Sequence, residues 1–414
     1  MLALVIAVAV VLSAASAPAA STSLALVGGT IYFSPTDAPI ANGIVVMRDG
    51  KIVAVGPKLS VQIPPGTETL DCAGSTITAG FWNSHVHFME RKWSDPAKIP
   101  AAELTRELQG MLTQYGFTNV FDTGSVLENT RAIRDRIESG EVLGPRIRTT
   151  GPIIYPKGGA GTPELLDVIG AMRSSMPEVS TPEEARAAAK QSLDGGSDGI
   201  KLYAATWYPP FAELPEDAMR AAIEEAHARH KPAFAHPTNV KAMLAAVRAG
   251  VDVVVHTTPQ RGEWDQNVLN TLKQAHVAII PTLKLWRYEL RHERMTIRDQ
   301  FVASSVAQLH AWLGANGEIL FGTDVGYMND YDTSDEYSLM AEAGMNARQI
   351  LASLTTAPAS RFGDEAHTGR LMPGAAADLV VLRDDPTKNV RAFANVRYTI
   401  RNGVVIYDTR NGTH

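Results

Sequence analysis

Between about residues 80 and 366 the chain repeats one pattern, a short apolar run followed by a longer mixed stretch, and the pattern reads as strand then helix. Strands are predicted at Thr78–His87, Thr118–Asp122, Arg146–Thr150, Gly199–Tyr203, Ala233–His236, Asp252–His256, Ala278–Pro281 and Ile319–Asp324. Helices are predicted between them, at Ala101–Tyr115, Pro182–Ser192, Pro215–His230, Val240–Ala249 and Asn267–Ala275. Eight strands alternating with helices over this length fit a (β/α)8 TIM barrel. The alternative is an open doubly wound sheet, but no G-x-G-x-x-G follows any of these strands. Thr333-Ser-Asp-Glu336 reads as a capping box that starts the helix after the eighth strand.

The two ends read differently. From Ser23 to Thr78, short β runs alternate with turns, and Asp49-Gly50 is a hairpin signal. The same texture returns in ADLVVLRDD and VRYTIRNGVVIYD, with Asn402-Gly403 as a second turn. Residues 21–78 and 367–414 are therefore expected to build one small β-sandwich, and residues 79–366 the barrel.

Candidate chemistry gathers where the apolar runs stop. In AGFWNSHVHF, His85 and His87 share one face of a strand and can aim at one point, as metal-ligating imidazoles do. A surface strand with two unrelated histidines is the plainer alternative. Reading the other strand ends adds Lys201, His236, His256 and Asp324, each closing an apolar run. In a barrel these ends surround the active site. Lys201 differs, because an ammonium does not bind a metal. Desolvation eases loss of its proton, and the neutral amine can take up carbon dioxide as a carbamate able to bridge two cations. A salt bridge to a nearby acid is the alternative.

Composition narrows the picture little. Hydrophobic content of 45% and charged content of 20% suit a globular enzyme, and a net charge of −6 gives no support for nucleic-acid binding. Met1–Ala20 is an uncharged apolar run ending in small residues, with Ala17-Pro18-Ala19 as a small-x-small cleavage site. It reads as an export signal, the one expected tie to a membrane, directing the protein to a periplasmic or extracellular site; an uncleaved anchor is the alternative. Cys72 is the single cysteine, which excludes an intrachain disulfide, and a buried structural thiol is expected there.

The ordered set HxH, Lys, His, His and GTD at successive strand ends resembles the amidohydrolase superfamily, in the group of imidazolonepropionase and the prolidase-like metal-dependent dipeptidases. GRLMPGAAADLVVLRDDP is similar to that family's return into its β-sandwich, and TTAPASRFG to the helix before it. The resemblance implies a first metal on His85, His87 and Asp324, a second on His236 and His256, and carboxylated Lys201 as the bridge. It implies two divalent ions, zinc above all, with a hydroxide between them as nucleophile and Asp324 as the proton carrier. The implied reaction is cleavage of a peptide-like or N-acyl C–N bond in a small amide or dipeptide. Cyclic-amide or ester hydrolysis on the same site, or a non-catalytic metal-binding barrel, are the alternatives.

Two departures matter. Pro-Thr-Asn follows His236 where family deaminases carry a glutamate. The Gly-Gly-His-Gly that related dipeptidases carry after strand 3 is replaced by YPKGGAG, and Tyr203 or Tyr208 is read either as a packing aromatic or as the compensating donor. After strand 7, Arg287, Arg291, Arg294 and Arg298 have helical spacing, read either as a solvated stripe or as a lid for a substrate carboxylate.

Overall fold

A computed structural model describes residues 23–159, 176–206 and 211–410. The apolar segment Met1–Ala20, Tyr208 and the Ala160-Gly161 end of YPKGGAG lie outside the described residues. Among the described residues no helix is long and apolar enough to cross a membrane.

Strands from both ends of the chain form one eight-stranded sheet. Thr76–Ala79 lies between Ser23–Ile31 on one side and Leu379–Leu382 on the other. Ile40–Arg48 and Lys51–Pro57 continue the sheet through the Asp49-Gly50 turn, whose φ angles of 50° and 77° are those of a tight hairpin. Asn402-Gly403 repeats this geometry, with φ 49° and 74°. Leu26, Val45, Ile77, Leu379 and Ile400 meet in a core of the sheet's own, which also buries Cys72. Burial raises the Cys72 thiol to about 11, so it stays protonated.

The predicted first strand is two strands. Thr76–Ala79 belongs to the end sheet, and Phe81–Val86 starts the parallel region. Gly80 is the pivot, and a Cβ there would lie 2.1 Å from Thr118 Oγ1, so only glycine allows the two strands to meet at this angle.

Phe81–Val86, Phe117–Asp122 and Arg146–Thr149 pair in parallel as one sheet. A second parallel sheet runs through Ile153–Pro156, Ile200–Tyr203, Ala233–His236, Val253–Val255, Ala278–Ile280 and Glu318–Ile319. Hydrogen bonds cross both gaps. Asp198 N–H donates to Thr149 O at 2.6 Å, and Ser84 N–H to Phe321 O at 2.8 Å. Val86 also bridges Val325 in parallel. The result is a TIM-barrel-like α/β fold with a separate β domain.

Helices wrap the parallel strands for reasons visible in their sequences. Ala101–Met111 buries Leu104, Leu108 and Met111, one face at helical spacing, each side chain contributing about 1.5–3 kcal/mol. Val240–Ala249 starts where the Asn239 side chain accepts from Ala242 N–H and stops at Gly250 in a left-handed conformation. Pro182–Asp194 has a capping box, Thr181 with Glu184, and Pro182 in its first turn.

The box expected at Thr333–Glu336 does not form. Thr333 is itself helical and makes no cap, while Asp332 accepts from Ser334 N–H at 2.9 Å. The Glu336 carboxylate turns inward instead and accepts the backbone N–H groups of Leu283 (2.9 Å) and Lys284 (2.8 Å). Burial raises it to about 7 in spite of these bonds.

Candidate metal centre and active site

The parallel strands deliver their polar ends to one place. His85 lies within Phe81–Val86 and His87 just beyond it; Lys201 is inside Ile200–Tyr203, and His236 closes Ala233–His236. His256 follows Val253–Val255, and Asp324 ends the extended segment after Glu318–Ile319. Regular pairing stops early in that eighth strand, because Gly322 packs directly on His85 and Asp324 turns to φ 66°. All six residues line one open-mouthed cleft. His85, His87, Lys201, His256 and Asp324 are buried, and His236 is partly exposed to the cleft.

Asp324 is the common neighbour. Its Oδ1 lies 3.1 Å from His85 Nε2 and 3.0 Å from His87 Nε2, and its Oδ2 lies 3.9 Å from His256 Nε2. Ligand atoms of His85, His256 and Asp324 all fall within 4.8 Å of one another. The His85 ring centroid is 4.8 Å from those of His87 and His256, and His256 is 4.6 Å from His236.

Three of the imidazoles are held from behind. His87 Nδ1–H donates to Gly124 O at 2.8 Å, His85 Nδ1 meets the Thr123 hydroxyl, and His256 Nδ1 meets Thr282 Oγ1 at 2.5 Å. Each ring therefore turns Nε2 to the centre, the arrangement of a metal-binding histidine. The Thr123–Gly124 loop is fixed in turn by buried Asp122, which accepts from Ser125 Oγ (2.6 Å), Thr130 Oγ1 (2.8 Å), Thr149 Oγ1 (2.8 Å) and Gly124 N–H (3.2 Å). His256, Thr282 and Asp324 have φ of 74°, 43° and 66°, a left-handed backbone costing about 1–3 kcal/mol each.

Electrostatics suits the same purpose. Burial, reinforced by Lys201, lowers His85 to about 3 and holds His236 well below the usual imidazole range. His256 is also held well below it, by burial and then by His236. Burial by itself would raise Asp324, but His85 and His87 outweigh it and keep the carboxyl ionised. Burial lowers Lys201 to about 7 against the opposing pull of Asp324. The centre is thus a set of unprotonated nitrogens around a carboxylate. His85 Nε2 and Asp324 Oδ1 are buried without a hydrogen-bond partner, although they are neighbours. Two acceptors so placed fit a divalent metal ion, and the His/Asp donor set is one that such ions take.

The model of the amidohydrolase family matches residues 76–406. The chain belongs to the amidohydrolase family. An ochratoxinase of Aspergillus niger is 24% identical over 400 residues, which cover 86% of this chain and 80% of the relative. An imidazolonepropionase of Thermoplasma acidophilum is 21% identical over 397 residues, covering 88% and 89%. Among solved structures, a Xaa-Pro dipeptidase with bound methionine in its active site superposes with a TM-score of 0.79 at 21% identity, over 94% of this chain and 100% of that one. The protein is a hydrolase of carbon–nitrogen bonds, and the metal dependence of its family meets a cluster able to hold a metal.

Other expectations fare variously in this amidohydrolase. Tyr203 lines the cleft, its ring stacked on His236 at 4.2 Å and an interplanar angle of 10°. The arginines form no single stripe, because one helix stops at Glu289 and the next begins at Met295. Arg287 pairs with Asp335 at 2.9 Å, Arg291 lies 4.1 Å over the Tyr288 ring, and Arg298 sits 3.6 Å from Asp299. From this segment Leu285, Trp286 and Glu289 reach the cleft instead. Asp122, Thr123 and Thr282 were not singled out from sequence. Asp122 carries the signal that marks the ligands, a polar residue closing the apolar run FTNVFD.

Proposed function

We propose that this protein is an exported amidohydrolase that cleaves the C–N bond of an N-acyl amino acid or dipeptide-like amide, on a (β/α)8 barrel with two divalent metal ions. The observation that carries this reading is the convergence of three imidazole Nε2 atoms on the Asp324 carboxylate in the cleft that Lys201 and His236 also line. His85, His87 and Asp324 would hold one ion, His236 and His256 the other, with carboxylated Lys201 between them. Lys201 supports the bridge by its burial and by a pKa of about 7, which leaves a large fraction as the reactive neutral amine. Ions so held, zinc being the best match to the donor set, supply Lewis acidity and a water ionised near neutral pH.

The chain's own groups do the rest. Asp324 is ionised at working pH and borders the cleft, so it takes a proton from the attacking water and returns it to the leaving nitrogen. Tyr203, stacked on His236 and lining the cleft, would donate a hydrogen bond from its phenol to the reacting carbonyl. Met89, Ile153, Leu285, Trp286 and Tyr327 give the cleft apolar walls suited to an aliphatic or aromatic acyl group. The apolar Met1–Ala20 run supports export. The test is a hydrolysis panel of N-acyl amino acids and dipeptides with zinc-loaded protein. Turnover of aryl- or alkyl-acyl members is expected, and absence of turnover across the panel counts against the reading.

A further inference from the structure

Among the described residues, three buried polar atoms without a hydrogen-bond partner belong to residues that line the cleft. Two, His85 Nε2 and Asp324 Oδ1, are accounted for by the metal centre. The third is the hydroxyl of Tyr155. A buried hydroxyl with no partner is costly, and such costs gather where a ligand supplies the missing bond.

The fold fixes where that hydroxyl stands. Ile153–Pro156 pairs in parallel with Ile200–Tyr203, which pairs with Ala233–His236. Ile153 lies opposite Lys201 and Ile154 opposite Leu202, so Tyr155 is the next position, beside Tyr203. Tyr203 in turn lies opposite His236. The three rings form one continuous stack, Tyr155 on Tyr203 at 4.9 Å and Tyr203 on His236 at 4.2 Å. Alternation along the strands puts Ile153 and Tyr155 on the cleft face with Lys201 and Tyr203, and all four line the cleft. The ring is thus locked by packing while its hydroxyl is left unpaired. Burial raises its pKa well above the usual phenol range, so it is a neutral donor.

Resting on the amide-hydrolysis reading, we propose that the Tyr155 hydroxyl is a catalytic hydrogen-bond donor to the scissile carbonyl oxygen as that oxygen gains negative charge. No proton is transferred. The phenol keeps its hydrogen throughout and offers a bond that strengthens as the carbonyl carbon becomes tetrahedral. Because the stack is rigid, the donor is in position before substrate arrives.

Tyr155→Phe removes the hydroxyl and keeps the stacked ring. On the best substrate from the panel, kcat is expected to fall by about 10²–10³-fold with KM nearly unchanged. Bound metal should equal that of the wild type, and Tm should stay the same or rise, since the lost group had no partner in the free enzyme. A tetrahedral phosphonamidate analogue should bind more weakly by a similar factor, while a carboxylate product binds equally. A kcat within threefold of wild type overturns the proposal while leaving the amide-hydrolysis reading intact. Loss of metal or of thermal stability in the variant also overturns it, by making Tyr155 structural. A wild-type enzyme that hydrolyses no amide overturns both together.

Discussion

Asp324 Oδ1 and His85 Nε2 lie 3.1 Å apart, both buried, with no hydrogen bond between them. An ionised carboxylate and an unprotonated imidazole placed this close repel through their lone pairs unless a cation lies between them. The pair is therefore one that a divalent cation would sit between, held by ligands already freed of protons.

Replacing Asp324 with Asn tests its double duty. The side chain keeps its shape and one oxygen, so the far-ultraviolet circular dichroism spectrum should match wild type. Turnover should fall by about 10²–10⁴-fold, the usual loss when a general base is removed. Near-normal turnover would show that another group carries the proton.

Lys201→Ala tests the bridge. Metal analysis should fall from two ions to about one per chain, with most activity lost. A short carboxylic acid added to the variant should restore part of both by filling the vacated position. Two tightly bound ions in the variant would leave Lys201 no bridging role.

Asp122 touches no expected ligand, yet it anchors the loop whose Gly124 carbonyl fixes His87. Asp122→Asn withdraws an acceptor from the hydroxyls of Ser125, Thr130 and Thr149. Metal affinity, read by competition with a chelating dye, should weaken by about 10–100-fold. An unchanged affinity would show that the loop keeps its shape without the carboxylate.

Glu336 gives a pH prediction. Its folded pKa of about 7 lies above the ordinary value of 4.5, so the folded state binds the proton more tightly than the unfolded chain. Stability from this group is then full below about pH 4.5 and is lost as pH rises toward 7. Glu336→Gln removes the titration and retains an acceptor for the Leu283 or Lys284 amide. The fall in Tm between pH 5 and pH 8 should be smaller in the variant than in wild type, as differential scanning calorimetry would show. Equal falls would mean that other groups set the pH dependence.

Much of the site was legible because each ligand ends an apolar run. The apolar residues of AFAH and VVV are all buried, so the polar residue at the end of each run stands out. Asp122 obeys the same rule, but its link to His87 runs through Gly124 and exists only in space. The capping box misled for a related reason. Glu336 has the right spacing from Thr333, but two backbone amides some fifty positions earlier compete for its carboxylate and win. The arginine spacing fits one helix only if the helix is unbroken, and local spacing carries no sign of the break after Glu289. The break at Gly80 was equally hidden, because the clash it avoids is with Thr118 on the next strand.

The position of Thr76–Ala79 has a consequence for biosynthesis. This strand runs through Gly80 into the strand that carries His85, and one of its two sheet neighbours is Leu379–Leu382. During translation Thr76–Ala79 thus waits for a partner made some three hundred residues later, a long-range pairing of the kind that forms slowly. A nascent chain halted before Leu379 would have its metal-ligand residues already synthesised but this edge of the β domain open. Closing this edge of the β domain is therefore a late event in the life of the chain, set by the last strands to emerge.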